Sequence, residues 1–168
     1  MRVFAFLPFI LLAACSEANE PAKQADAPAA EAIKAGQWEM ATEVVAVTQR
    51  DKGSPAMKME KGSKTTGSSC VAEADTKKPQ PALFAPEGLK CDYRDDYIRG
   101  GKINATLGCT GAGLNGDVST LINGSYTAET IEATAITETR LHGDGDVKVE
   151  TKLTGRRTGD CTPTPAKS

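Results

Sequence analysis

Residues 91–109 read Cys91-Asp92-Tyr93-Arg94-Asp95-Asp96-Tyr97-Ile98-Arg99-Gly100-Gly101-Lys102-Ile103-Asn104-Ala105-Thr106-Leu107-Gly108-Cys109. Two runs flank Arg99-Gly100-Gly101-Lys102, a turn signal. Beyond the turn, Ile103, Ala105, Leu107 and Cys109 share one face of a strand, because successive strand side chains point to opposite sides. A hairpin centred on Gly100 sets Cys91 opposite Cys109, Tyr93 opposite Leu107 and Tyr97 opposite Ile103. All fall on one apolar face, with only Asp95 out of place. Directly opposed strand residues have Cβ atoms about 4.5–5.5 Å apart, which is near bridging range for a disulfide.

The same alternation extends in both directions. Trp38, Met40, Thr42 and Val44 form one face of a first strand, with Glu39 and Glu43 opposite. Val118, Thr120 and Ile122 follow, then Ile131 to Leu141, then Val147, Val149, Thr151 and Leu153. From Gly36 onward there are eighteen threonines, which favour a pleated, half-buried surface. Residues 56–70 are ambiguous: Met57 and Met59 alternate with Lys58 and Glu60 before Gly62 and Gly67 interrupt. Residues 71–90 contain Pro79, Pro81 and Pro86, so a loop with at most one helical turn is expected, with Leu83 and Phe84 plugging the core. The whole reads as an all-β domain over residues 36–161. It is an antiparallel meander forming a curved sheet or a partly open barrel. In the last hairpin, a turn at Asp144-Gly145-Asp146 sets Leu141 opposite Val149, Thr137 opposite Leu153, Arg140 opposite Glu150 and Glu138 opposite Lys152. A five-residue turn would set Arg140 against Lys148 and Glu138 against Glu150. The first register is preferred because it opposes unlike charges.

The N-terminus carries a different signal. Arg2 precedes an apolar run from Val3 to Ala14, too short to span a bilayer and typical of an export signal over residues 1–14. It ends Leu12-Ala13-Ala14-Cys15, which resembles the bacterial lipobox, in which the cysteine thiol carries a diacylglycerol. That resemblance implies a membrane anchor at Cys15. Two or more acyl chains hold a protein stably to a bilayer. With Ser16 next, not Asp, it also implies the outer membrane, with the domain facing the periplasm. Residues 15–35 are Ala-rich, broken by Pro21 and Pro28, and read as a lipidated flexible tether. The tail at 162–168 reads as disordered.

With Cys15 spent on lipid, Cys70, Cys91, Cys109 and Cys161 remain, an even set in an oxidising compartment. Four cysteines allow three pairings. The central hairpin selects Cys91 with Cys109, leaving Cys70 with Cys161.

Gly36-x-Trp38, Cys70-Val71, Cys91, Cys109 and the closing Arg156-Arg157-Thr158-Gly159-Asp160-Cys161 resemble the Gram-negative envelope family catalogued as domain of unknown function 3617. The resemblance spans roughly residues 36–161. Ala72-Glu73 stands where many members carry a proline. Membership implies export and paired cysteines, and it implies no activity.

Chemistry-bearing motifs are few. The chain has 168 residues, one histidine and a net charge of −2, which argues against a basic nucleic-acid binder. Gly111-Ala112-Gly113-Leu114-Asn115-Gly116 matches the dinucleotide fingerprint in letters. The run after it is strand-like, whereas a pyrophosphate site needs a helix to begin there. His142-Gly143-Asp144-Gly145-Asp146 reads as a hairpin turn, since a calcium loop needs further oxygen ligands and a closing Glu. Asp92, Asp95 and Asp96 lie near Arg94 and Arg99. Residues 95 and 96 face opposite sides of a strand, so they do not form a catalytic pair. There is no G-x-S-x-G elbow, H-E-x-x-H or C-x-x-C. The expectation is a non-enzyme with no catalytic residue, metal or cofactor, acting as a lipid-anchored interaction or envelope-maintenance module. The alternative is a binder of a small apolar ligand or lipid in the curved sheet. An open apolar pocket of a few hundred Å³ favours the ligand, and a filled core favours the interaction surface.

Overall fold

The computed structural model describes residues 32–161. The expected signal peptide, Cys15, residues 16–31 of the expected tether and the tail at 162–168 lie outside the described residues. Seven antiparallel strands form one open sheet: β1 (Gly36–Gln49), β2 (Lys64–Val71), β3 (Lys90–Arg99), β4 (Lys102–Thr110), β5 (Gly116–Tyr126), β6 (Thr130–Leu141) and β7 (Val147–Gly159). The spatial order is β2-β1-β7-β6-β5-β4-β3. Strands 3 to 7 are therefore a continuous meander, β1 adds beside β7, and β2 and β3 are the two edges. The all-β reading holds, and the sheet remains unclosed.

Alternation decides which face is covered. Trp38, Met40 and Val44 on β1 point inward, as do Leu107 on β4, Ile122 on β5, Ile131 on β6 and Leu153 on β7. Trp38 is fully buried, and its indole Nε1 donates to the Lys34 carbonyl at 3.0 Å. The connection between β2 and β3 lies over this face. It makes two short 3₁₀ turns, Glu73–Asp75 and Pro81–Leu83, where one helical turn at most was expected. Leu83 and Phe84 are buried in the core cluster, as expected.

Three expectations are corrected. The folded part begins at Ile33, not Gly36. Ile33 is buried, the Lys34 amide donates to the Ala128 carbonyl at 2.8 Å, and the Ala35 carbonyl accepts from Arg157 Nε at 2.7 Å. The end of the Ala-rich stretch thus belongs to the domain, because Ile33, its one large apolar residue, has a core to enter.

The β3–β4 hairpin follows the expected register only for its first half. Gly100 and Gly101, at φ 59° and 73°, make the tight turn, a conformation glycine adopts without steric penalty. Cys91 opposes Cys109 and Tyr93 opposes Leu107, but a bulge between Tyr93 and Asp95 shifts the rest by one. Tyr97 then opposes Asn104, and Ile98 opposes Ile103. The bulge inserts Arg94 as the extra residue and reverses the alternation beyond it. Asp95 turns outward, and Ile98 replaces the exposed Tyr97 on the apolar side.

In the last hairpin both weighed registers are overturned. Thr137 opposes Val149, Glu138 opposes Lys148 and Ala133 opposes Leu153. Side chains close the mouth of this hairpin. Asp146 Oδ1 accepts from the Leu141 amide at 2.8 Å and from Thr139 Oγ1 at 3.1 Å, and Thr139 Oγ1 accepts from the Val147 amide at 2.9 Å. The backbone ladder therefore stops at Glu138–Lys148. Arg140 pairs on its other side, with Asp117 of β5 at 3.2 Å. The slip is an even number of residues, so every inward side chain stays inward.

Phe84→Ala should lower the unfolding free energy by about 3–5 kcal/mol, the usual cost of emptying a packed aromatic site. Chemical denaturation with the disulfides intact measures it. A loss below about 1 kcal/mol would show that the β2–β3 connection is not part of the core.

Candidate functional site

The connection between β2 and β3 and the loop between β1 and β2 both lie over the inward face, and concave features of the domain lie along them. An open cleft of about 1210 Å³ separates the Ser54–Glu60 loop from Pro86–Leu89. Met57, Met59, Leu89 and Val147 supply apolar wall, with Lys58, Glu60 and Glu87 among its polar residues. It reaches from Val47 on β1 to Leu114 beyond β4, four strands away in the sheet, so the sheet wraps around it. Beneath Phe84, against Ala135, Thr137 and Val149, only about 40 Å³ is open. A third hollow of about 190 Å³ lies beside β2, lined by Met40, Gly67, Leu83, Phe84, Glu87 and Leu153.

The loop that walls the cleft is tied to the last hairpin. The Gly145 amide donates to the Ser54 carbonyl at 2.8 Å, and the Asp146 amide donates to Asp51 Oδ2 at 3.1 Å. Asp51 Oδ1 in turn accepts from the Gly53 amide at 2.8 Å. Asp146 is thus a hairpin-closing residue, and His142 Nδ1 lies 3.3 Å from the Asn115 carbonyl. Among the described residues no three His, Cys, Asp or Glu side chains are grouped to hold a metal ion.

The other sequence motifs disperse. The glycine-rich run at 111–116 is the connection from β4 to β5, and a strand follows it. Asp96 pairs with Lys78 at 2.5 Å, Arg94 with Asp117, and Arg99 stacks over Tyr97 at 4.3 Å. The Arg94 hydrogen bond, followed by the nearby charges of Arg94 and Arg140, holds the Asp117 carboxyl below the usual carboxylate range, against partial burial. Burial first, and Asp96 second, push the Tyr93 phenol up, and its hydroxyl donates to the Pro79 carbonyl at 2.7 Å. The Lys78–Asp96 and Tyr93–Pro79 contacts pin the connection along β3, and the Asp117 ion pairs tie neighbouring strands together.

The cysteines pair as expected. Cys91 is bonded to Cys109 across β3 and β4, and Cys70 to Cys161, with Cα atoms 4.1 and 5.5 Å apart. The second bridge carries the chain leaving β7 past the end of β1 to the end of β2. The sequence reading missed the cleft. Its signal was the Met57–Met59 alternation, which sits in a loop folded over the sheet and not in a strand.

With this geometry, the chain belongs to the family DUF3617, described as "Protein of unknown function (DUF3617)", which matches residues 33–161. The match begins at the buried Ile33 and ends at the bridged Cys161, so it coincides with the folded domain. No curated protein and no solved structure matches the chain.

Replacing Cys70 and Cys161 together by alanine should destabilise the domain more than replacing Cys91 and Cys109. Loop-closure entropy gives about 4–5 kcal/mol for the first pair and about 3 kcal/mol for the second, since the bridges span 91 and 18 residues. Equilibrium denaturation of the two double variants compares them, and the reverse order would contradict this account.

Proposed function

We propose that this chain is a lipid-anchored envelope protein, held through Cys15 to the outer membrane and facing the periplasm, whose domain is a non-catalytic interaction module. The small space left beneath Phe84 carries this reading. Small-molecule sites run to about 300–1,000 Å³ and enclose most of their ligand, whereas about 40 Å³ is open beneath Phe84. The larger cleft is an open trough with charged residues on its walls, which suits a surface more than an enclosed apolar molecule. No grouping of side chains described above supplies an acid–base pair or a nucleophile with its base. A second reading, a small apolar or lipid ligand, rests on the Met57, Met59 and Leu89 wall of that cleft.

Two experiments separate these ideas. The anchor is tested by Cys15→Ser, which should yield a soluble or uncut chain. A cut, detergent-dependent membrane protein from that variant would overturn the lipid anchor. The module is tested by a photo-crosslinking amino acid at position 87 of the full chain in intact cells. A discrete adduct with one protein is expected. No protein adduct, together with a stoichiometric small molecule seen by native mass spectrometry of the extracted protein, would establish the second reading instead.

A further inference from the structure

The two edges of the sheet are treated differently. β3 is broken by the bulge after Tyr93, carries exposed Asp92, Arg94 and Asp95, and has Lys78 and Pro79 bound along it. These are the devices by which proteins stop an edge from recruiting another strand. β2 has no bulge, and Lys64 at its start is its one charge. Its pairing with β1 is regular through all eight positions, and from Thr65 to Val71 it carries no charge and no proline. Residues Lys64–Ser68 are all exposed. Among the described residues, no backbone hydrogen bond reaches its outer side.

The phase of the ladder says which groups are free. The Val44 amide donates to the Ser63 carbonyl at 3.0 Å, at the start of the β1–β2 pairing. Antiparallel bonding alternates from there, so Thr65, Gly67 and Ser69 bond to β1, while Thr66 and Ser68 turn their N–H and C=O groups outward. Beside these groups lies the 190 Å³ hollow lined by Met40, Leu83, Phe84 and Leu153. It exists because the inward residues of β2 are small: Gly67 has nothing within 4 Å of where a Cβ would stand. A dry apolar cavity of about 150 Å³ holds a benzene-sized group. This hollow therefore takes one large side chain and no more. Glu87 also lines it and makes no ion pair among the described residues.

We propose that the outer edge of β2 accepts an extended segment of a partner protein as an added strand, with one leucine- or phenylalanine-sized side chain in the hollow and a lysine or arginine beside it toward Glu87. Main-chain bonds along the edge supply affinity, and the hollow supplies selectivity. The proposal rests on reading the domain as an interaction module and names the chemistry of its partner.

The probe is an acetylated nine-residue peptide of threonines with a central leucine and a lysine two residues to either side. It is titrated calorimetrically into the detergent-solubilised full chain. Saturable one-to-one binding is expected, weakened about tenfold or more when the leucine becomes alanine. Ser68→Pro removes an outward N–H and leaves the β1 ladder intact, a placement edge strands tolerate. It should abolish binding without lowering the melting temperature. If Ser68→Pro does not fold, Gly67→Leu, which fills the hollow and spares the edge, should give the same loss. Unchanged binding to a folded variant, or no binding by the parent chain, overturns the proposal. So does binding only to a chain ending at Cys161, which would mean that the chain's own tail covers the edge. A dimer dispersed by Ser68→Pro would mean a second copy does, and would overturn it too. A protein adduct at position 87 that survives Ser68→Pro leaves the interaction module standing and removes strand addition alone.

Discussion

An unclosed sheet with one apolar face must have that face covered, and here the chain covers it with the connection between its own two edge strands. Leu83 and Phe84 descend from residues 72–89 onto Met40, Leu153 and the middle of the sheet. Prolines at 79, 81 and 86 stiffen that connection, and it is docked to β3 by Tyr93 on Pro79 and Lys78 on Asp96. Aromatics make up only 5% of the chain, so the cover rests on few large side chains. Burial of an aromatic ring contributes more than any surface pair in this fold can.

The asymmetry of the edges follows from that cover. The connection leaves β2 at Val71 and returns to β3 at Lys90, and its contacts concentrate on β3. β3 therefore gains a neighbour, while β2 is held by β1 and by the Cys70–Cys161 bridge at its end. The hollow beside β2 is the gap that remains between the small residues of that strand and Phe84.

The inward residues were legible from alternation, because burial on one face imposes a period of two that runs through Trp38, Leu107, Ile122 and Val149 alike. Both disulfides followed from the central hairpin, whose turn glycines fix the pairing near Cys91 and Cys109. What failed was register wherever a side chain replaces backbone pairing. The Arg94 bulge left one trace in the sequence, Asp95 on the wrong face. The last hairpin left a misleading one. The charge rule was applied to Arg140 against β7, while its partner, Asp117, lay on β5. Asp146 and Thr139 closing the turn from inside cannot be read from composition. The cleft was illegible because it is made by two loops folding over the sheet, and loops carry no periodicity to follow.

The family match identifies the domain and leaves its role open, so the weight falls on its surface, and β2 is an edge whose outward backbone groups meet no backbone partner among the described residues. Amide hydrogen exchange of the full chain, resolved by NMR, tests this most directly. The account predicts alternation along β2: the amides of Thr65, Gly67 and Ser69, bonded to β1, exchange slowly, and those of Thr66 and Ser68 exchange close to the rate of an unprotected peptide. Uniform protection of all five would contradict it, because the edge would then already be paired.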